Sequence, residues 1–381
     1  MLRLANPVFG DEALSAIGRV LASGQLTQGP VVAEFEQAIA EFCGVRHAVA
    51  TTSATTAIEL ALAAHDIGPG DLVLAPDFTY PATGNAVLQR GARLQLIDVD
   101  PGTYCVDVAA LERALEQGPK AVIVVDVFGL PADYAAIEPM LAERGVPLIC
   151  DAACSLGGAV RGRRTGGFGA ASCFSFHPRK SLTTGEGGMV STDDERLAVR
   201  LRRLRNHGTE RVGWRSSFVE AGFNYRMSDI NAALGLVQVP RHAEVVARRR
   251  ELAQLLTTRL GQLEGVRPQR VPAGHLHPYQ AYVVVLDERI DRDAVIPALR
   301  ELGVESTLGT YALHVEPAFA ERGCAAPEGL PHSRALAAQT LALPLHEHLE
   351  DGDVEVIARA LEQVLSVVAR VANPPVPALP D

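Results

Sequence analysis

Residues 121–126 read AVIVVD, a short apolar run that fits a strand buried on both faces. Similar runs occur four more times, at LVLA (72–75), RLQLI (93–97), PLICD (147–151) and ASCFSF (171–176). Segments with helical periodicity separate these runs. Buried strands that alternate with helices are typical of a parallel sheet covered on both sides. The sequence therefore predicts an α/β fold with a mostly parallel sheet between helices.

The pattern changes towards the C-terminus. RHAEVVARRRELAQLLTTRLGQL (241–263) predicts a long amphipathic helix that leaves the first domain. A strand at AYVVVL (281–286) and a further amphipathic helix follow it, and the tail ANPPVPALPD predicts irregular structure. We expect a large domain over residues 1–245 and a smaller α+β domain over residues 246–381.

Composition limits the classes of function. The chain has 381 residues, a formal net charge of −10 and 48% hydrophobic residues, values that are typical of globular proteins. The acidic balance argues against nucleic acid as a partner, because phosphate binding favours a positive surface. We find no apolar segment typical of a signal peptide or a membrane span, so we expect no membrane partner and a cytoplasmic location.

The six cysteines form no C-x-x-C pair and no zinc-type spacing, so the sequence predicts no metal site. Three of them, Cys105, Cys150 and Cys173, stand in or beside apolar stretches. We expect these three thiols to be small core residues.

One lysine has unusual neighbours. Lys180 stands in FSFHPRKSLTTGEGG (174–188), between an apolar run and a loop of glycines and hydroxyl residues. Glycines let a backbone approach a ligand closely, and a partly desolvated lysine can form a Schiff base with an aldehyde. The alternative is a lysine at a strand end that extends its amine into water.

Three further stretches, together with Lys180, could form a site for a ligand with an aromatic ring. Asp151 ends the run PLICD, where it could face a pyridine nitrogen or cap a helix. TTSATTAIEL (51–60) places hydroxyl residues before a helix, which is typical of an anion site or of plain capping. Phe78 or Tyr80 could stack on a ring or pack in the core. Together with Lys180 these features predict a site for pyridoxal 5′-phosphate (PLP).

The chain resembles the DegT/DnrJ/EryC1/StrS family of PLP-dependent sugar aminotransferases. The similarity extends along nearly the whole chain, and FSFHPRKSLTTGEGG and NYRMSDINAALG carry its most specific motifs. The resemblance implies aminotransferase fold type I and a homodimer with active sites at the subunit interface.

The resemblance also implies roles for individual residues. Lys180 would bind PLP covalently, Asp151 would pair with the pyridine nitrogen, and both are the expected catalytic residues. Arg226 would lie near the substrate. The other positions expected to bind the cofactor are Ala54, Thr55, Tyr80, Cys154, Ser175 and Asn224, of which Asn224 would reach the cofactor of the neighbouring subunit.

Two positions depart from the family pattern. Cys154 stands where glutamine or histidine is usual, near the phenolic oxygen of the cofactor, and its thiol is a weaker donor. Asp126 stands where histidine is common. Both departures concern the identity of the substrate, and the expected cofactor is unchanged.

We therefore expect amino transfer from glutamate or glutamine to a keto sugar, which we expect to be nucleotide-linked. Alternative acceptors are a keto-inositol or another cyclic ketone. A PLP-dependent dehydratase would have histidine in place of Lys180, and a sulfur lyase would need a reactive thiol such as Cys324. A PLP-binding regulator without enzymatic activity is a further alternative, but the sequence contains no DNA-binding segment to support it.

Overall fold

A computed structural model describes residues 1–324 and 329–372. The predicted irregular tail lies outside the described residues, apart from its first residue. The helices are α1 (Asp11–Ser23), α2 (Pro30–Cys43), α3 (Ala54–Ala64), α4 (Ala82–Gln89), α5 (Val108–Ala114), α6 (Tyr134–Glu143), α7 (Glu195–Arg205), α8 (Asp229–Leu236), α9 (His242–Leu260), α10 (Arg292–Glu301), α11 (Pro317–Ala320), α12 (Pro331–Gln339) and α13 (Asp351–Ala372).

The strands range from two to five residues. They are β1 (His47–Thr51), β2 (Leu72–Pro76), β3 (Phe78–Thr79), β4 (Arg93–Ile97), β5 (Ala121–Val125), β6 (Leu148–Asp151), β7 (Ala159–Val160), β8 (Arg163–Arg164), β9 (Ala171–Ser175), β10 (Gly188–Thr192), β11 (Thr209–Val212), β12 (Arg215–Phe218), β13 (Val266–Pro268), β14 (His275–Leu276), β15 (Tyr282–Leu286), β16 (Thr307–Leu308), β17 (Tyr311–Ala312) and β18 (Thr340–Leu343).

A seven-stranded sheet forms the centre of the molecule, in the order β1-β10-β9-β6-β5-β2-β4. The five strands from β9 to β4 pair in parallel, and they correspond to the five apolar runs of the sequence. Strand β10 is antiparallel to both of its neighbours. The prediction of a mostly parallel sheet is thus confirmed, with one reversed strand that the sequence analysis did not find.

Helix α3 shows why the sheet is covered so tightly. Seven of its eleven residues are buried, and most of them are alanine or leucine. Small side chains let the helix lie close to β9 and β10, and alanine and leucine also favour the helical backbone. The N-terminus of α3 then lies beside Gly188, the first residue of β10.

A second apolar core lies in the C-terminal part of the chain. It joins α9, α10 and α13 to a four-stranded sheet in the order β13-β15-β18-β16. The expected boundary at residue 245 falls near the start of α9, and the division into two domains stays a prediction. In the part of the chain that the structure describes, no helix has the length and apolar character needed to cross a membrane.

Candidate active site

Lys180 lies in the turn that follows β9. Its N–H donates to the His177 carbonyl across 2.8 Å, and the turn closes where Thr184 donates its N–H to the Phe176 carbonyl across 3.0 Å. The side-chain Nζ donates to Cys154 Sγ, also across 3.0 Å. The amine therefore contacts another side chain of the protein, unlike a lysine that extends its amine into water.

Asp151 is the last residue of β6, and its side chain is buried. Thr83 Oγ1 donates to its Oδ2 across 2.7 Å, and Ala153 donates its N–H to Oδ1 across 3.3 Å. Burial raises the pKa of Asp151, while hydrogen bonds from Thr83 and Ala153 and the charge of Lys180 act against that rise. Turns follow Asp151 directly, so the alternative of a helix cap is wrong.

The N-terminus of α3 has two free backbone donors. Ser53 Oγ accepts from Thr56 N–H, and Thr56 Oγ1 accepts from Ser53 N–H, so these residues form a capping box. Ala57 donates the first helical hydrogen bond, to Ser53 O. Among the described residues, nothing accepts from the N–H groups of Ala54 and Thr55. Free N–H groups at a helix N-terminus favour an anion.

Gly188 brings this helix end to the strand that carries Ser175. It pairs with Ser175 in the ladder between β10 and β9. A Cβ on Gly188 would lie 2.3 Å from the carbonyl atoms of Ser53 and 2.7 Å from Ala54 N. Glycine therefore permits a close backbone contact that brings Ser175 near the free donors of α3.

The two candidate aromatic residues lie in different environments. Phe78 is fully buried, with its ring edge-on to Phe128 at a centroid distance of 6.1 Å, so it belongs to the core. Tyr80 is 63% exposed and lies 6.4 Å from the Tyr311 ring. The structure thus leaves Tyr80 as the aromatic residue that is available for stacking.

Asn224 and Arg226 lie just after the β11–β12 hairpin. Arg226 Nη1 donates to Asn206 Oδ1 across 2.6 Å, and Asn224 forms a backbone bridge with the same residue. Within the described chain, no hydrogen bond joins either residue to Lys180 or Asp151. Their expected roles in binding the neighbouring subunit's cofactor and the substrate stay predictions.

The cysteines separate into two groups. Cys105, Cys150 and Cys173 are buried, as predicted, and so are Cys43 and Cys324. Burial raises the pKa of the Cys324 thiol, which disfavours the thiolate that a sulfur lyase would need. Cys154 alone among the six is partly exposed.

A cavity of about 120 Å³ adjoins Lys180. Its lining includes polar groups from the start of α9 and from the loop after β18, together with an N-terminal segment. Its remaining lining residues are Pro7, Val8, Phe9, Ser181, Thr183, Gln238, Arg241, His242, Val245, Glu347 and His348.

A sequence profile of the DegT/DnrJ/EryC1/StrS aminotransferase family matches residues 7–362. The chain belongs to this family. Family members are PLP-dependent aminotransferases, so the predicted family, cofactor and enzyme class are confirmed.

Several individual relatives agree with this family assignment. GDP-perosamine synthase from Caulobacter vibrioides is 38% identical over 342 residues, which cover 88% of this chain and 91% of the relative. The crystal structure of the aminotransferase TlmJ from Streptoalloteichus hindustanus gives a TM-score of 0.90 at 35% identity, covering 96% of this chain and 99% of TlmJ. The PLP form of Spr1654 from Streptococcus pneumoniae gives 0.91 at 25% identity, with the same two coverages. The predicted fold and the sugar-aminotransferase function are thereby confirmed.

The residues of this member of the family fit PLP. If PLP binds here, the buried carboxylate of Asp151 would face the pyridine nitrogen, and the free N–H groups of Ala54 and Thr55 would be donors for the phosphate. Lys180 would provide the amine for the aldehyde. The chemistry of these residues thus suits the aldehyde, the pyridine nitrogen and the phosphate of the cofactor.

The sequence analysis missed Thr83, which supports this site. It gave plain capping as an alternative for the start of α3, and the capping box of Ser53 and Thr56 shows that capping occurs there. The contact between Thr83 and Asp151 spans 68 residues, and nothing in the local sequence indicated it. The spacing of Ser53 and Thr56 is a helix-start signal, although the hydroxyl of Thr56 acts where glutamate or glutamine is more usual.

Proposed function

We propose that this aminotransferase moves an amino group from glutamate or glutamine to a nucleotide-linked keto sugar. The observation that carries the site assignment is the Lys180 amine, which donates to Cys154 three residues after the buried Asp151 and whose charge acts on that carboxylate. The similarity to GDP-perosamine synthase supports a nucleotide-linked acceptor.

Lys180 is the proton carrier in this proposal. PLP, when bound, withdraws electrons from the amino carbon of the substrate. The freed amine of Lys180 takes the proton from that carbon as a general base and returns a proton as a general acid. Asp151 provides negative charge at the pyridine nitrogen, and its hydrogen bond from Thr83 favours the ionised carboxylate.

The phosphate site has donors from two elements. Ala54 and Thr55 present backbone N–H groups, and the Ser175 hydroxyl lies across the close contact made by Gly188. Tyr80 provides an exposed ring for stacking on the cofactor. Each of these groups binds or orients the cofactor while the Lys180 amine moves the proton.

We further propose a cytoplasmic homodimer in which Asn224 and Arg226 complete the active site of the partner. The adjacent β11–β12 hairpin supports this, because Trp214 is 92% exposed and Phe218 is 72% exposed. Large apolar side chains in contact with water are typical of interaction surfaces. Arg226 would bind the diphosphate of the acceptor through its guanidinium group.

The function is tested by mixing the protein with PLP and then with L-glutamate or L-glutamine, and recording the absorbance spectrum. Loss of the PLP band and growth of a pyridoxamine phosphate band are expected with one of the two donors. Addition of a GDP-linked keto sugar should then restore the first band. A spectrum that responds to neither donor contradicts the proposed donor, and recovery only with a keto-inositol contradicts the proposed acceptor.

The site assignment has its own test. The chain contains two lysines, Lys180 and Lys120, and Lys120 is in a surface ion pair with Asp71. Borohydride reduction followed by mass spectrometry should attach PLP to Lys180 alone, and Lys180→Ala should abolish this attachment. Attachment at Lys120 would contradict the assignment.

The shared site is tested by complementation. Lys180→Ala and Asn224→Ala should each be inactive alone. When subunits exchange freely, their mixture should recover about a quarter of the wild-type activity, because half of the dimers contain one intact site. No recovery, with subunit exchange shown by mass spectrometry, would mean that Asn224 acts within its own subunit.

A further inference from the structure

Cys154 contacts the amine that this reaction depends on. Its Sγ accepts a hydrogen bond from Lys180 Nζ across 3.0 Å, although the two residues are 26 positions apart. It is also the only partly exposed cysteine of the six. An ammonium group has three donors and no acceptor, so a sulfur at this distance occupies one of its hydrogen-bond directions.

The loop that carries Cys154 is held at the next residue, Ser155. Ser155 Oγ donates to Asp126 Oδ2 across 2.5 Å, and Thr165 Oγ1 donates to Ser155 O, also across 2.5 Å. Asp126 is itself held by the Tyr134 hydroxyl, which donates to its Oδ1 across 2.6 Å. All four side chains are buried. The position of the thiol is therefore determined by a hydrogen-bond network inside the protein.

The backbone at Cys154 is also tightly enclosed. Gly129 has a φ of +107°, and a Cβ there would lie 2.7 Å from Cys154 O. Gln280 Nε2 also donates to Arg179 O across 3.1 Å, next to Lys180 in the chain. The loop that carries the thiol and the loop that carries the amine are thus each held by contacts of their own.

We propose that Cys154 is a positioning residue for the Lys180 amine. Whenever that amine is not covalently bound, its Nζ–H donates to the sulfur, which directs the nitrogen towards the substrate carbon. The proton passes from that carbon to Nζ and back, and the sulfur takes no part in the transfer. This inference rests on the proposed function, since it assigns Cys154 to the same proton transfer.

A weak acceptor suits this role. Sulfur holds an N–H donor less strongly than an oxygen does, so the amine stays in place without being fixed in its protonated form. Burial of the supporting network keeps the sulfur from moving with the amine. We therefore expect the chain to require an acceptor at position 154 and to tolerate a hydroxyl there better than a methyl group.

The kinetic test compares Cys154→Ala and Cys154→Ser with Cys324→Ala, which removes a buried thiol elsewhere. With excess donor, Cys154→Ala should lower the rate of the amino-donor half-reaction about two- to tenfold, as expected for one hydrogen bond, at an unchanged KM. The isotope effect with donor deuterated at the amino carbon should rise. Cys154→Ser should recover towards wild type, and Cys324→Ala should show no change in the isotope effect.

A second readout does not need turnover. In the enzyme loaded with pyridoxamine phosphate, formaldehyde and borohydride methylate free amines, and Lys120 serves as the internal reference. The ratio of Lys180 to Lys120 labelling should rise at least twofold in Cys154→Ala and return towards wild type in Cys154→Ser.

An unchanged isotope effect and an unchanged labelling ratio in Cys154→Ala would overturn the proposal, even if activity fell. If Cys154→Ala does not fold, Cys154→Ser decides. A ratio of Lys180 to Lys120 labelling at least twofold above that of wild type would overturn the proposal that an acceptor at position 154 holds the amine. A ratio near that of wild type would support it. Failure of the proposed function can be distinguished from failure of this inference, because the absorbance spectrum of the wild-type enzyme would then respond to neither donor.

Discussion

Thr83 and Asp151 are joined by a buried hydrogen bond of 2.7 Å between the threonine Oγ1 and the carboxylate Oδ2. Thr83 is the second residue of α4 and Asp151 ends β6, so the bond links the first turn of a helix to the carboxyl end of a strand. It opposes the effect of burial, which alone would favour the neutral acid. The ionised state that the pyridine nitrogen requires thus depends partly on a residue outside the predicted site.

Removal of this donor should weaken the binding of PLP. Thr83→Val keeps the shape of the side chain but leaves Asp151 Oδ2 without its hydroxyl partner. Hydrogen bonds to charged groups contribute about 1.5–3 kcal/mol, so we expect the dissociation constant of PLP to rise about tenfold or more. Absorbance titration of the protein with PLP measures it. Thr83→Ser keeps the donor and should stay within a few-fold of wild type; equal weakening in both variants would mean that packing, not the hydroxyl, matters.

The close approach of Gly188 to α3 makes a second prediction. Gly188→Ala would place a methyl group 2.3 Å from Ser53 backbone atoms, so the helix end must move away from Ser175. We expect weaker binding of inorganic phosphate and of PLP, measured by calorimetry. The matched control is Gly18→Ala in α1, where a Cβ meets nothing within 4 Å and the change should leave both affinities unaltered. Wild-type affinity in Gly188→Ala would exclude this contact from the phosphate site.

The sequence predicted the parallel part of the sheet because each of those strands is apolar over most of its length. Strand β10 reads GMVST, and its glycine and hydroxyl residues are common in loops, so the local pattern did not distinguish it from a turn. Its position depends on pairing with β9, across the loop that contains Lys180, and with β1, whose residues are far away in the chain. The reversed strand is therefore determined by its pairing in the folded protein and not by its local sequence.

The residues of the candidate site also fall into two groups, those indicated by the local sequence and those found only in the structure. Lys180, Asp151 and the start of α3 were found because each lies in a locally unusual stretch. The residues that hold them, such as Thr83 and Ser155, act through hydrogen bonds to residues distant in sequence or on another element. Hydroxyl residues of this kind are common on any protein surface, so their types alone give no signal. The position of Cys154 came from a family resemblance, and its contact with the lysine amine required the structure.

A buried ion pair makes a prediction about stability. Arg205 Nη1 lies 2.5 Å from Glu36 Oε1, and both groups also bond to the backbone of Ala50. Arg205→Met would leave the Glu36 carboxylate buried without its partner. We expect a loss of about 3–5 kcal/mol in the free energy of unfolding, because an unpaired buried charge is strongly unfavourable. Urea denaturation followed by circular dichroism measures the change.

The control for this pair is a surface pair of the same chemistry. Arg359 is 74% exposed and pairs with Glu355 one helical turn away. Arg359→Met should alter the free energy of unfolding by less than about 1 kcal/mol, as is usual for exposed pairs. Similar losses in both variants would show that charge removal in general, and not burial of Glu36, causes the effect.

Buried His242 makes the folded protein sensitive to acid. Its Nε2 lies 3.3 Å from Leu156 O, and burial lowers its pKa to about 4. In the unfolded chain the same ring binds a proton near pH 6.5, so the unfolded state takes up more protons between these two values. Stability should therefore fall as the pH drops from about 6.5 to 4, by up to about 1.4 kcal/mol per pH unit from this residue. Above pH 6.5 the ring is neutral in both states and contributes no pH dependence.

The test is the difference in the free energy of unfolding between wild type and His242→Gln at pH 7, 6 and 5. Asp126 has the opposite dependence, because burial raises its pKa to about 7 and its contribution is lost as the pH rises through that value. Taking the difference between the two proteins cancels such contributions from other groups. His242→Gln should lose part of the acid slope. An identical slope in wild type and His242→Gln would mean that His242 takes up its proton equally in the folded and unfolded states.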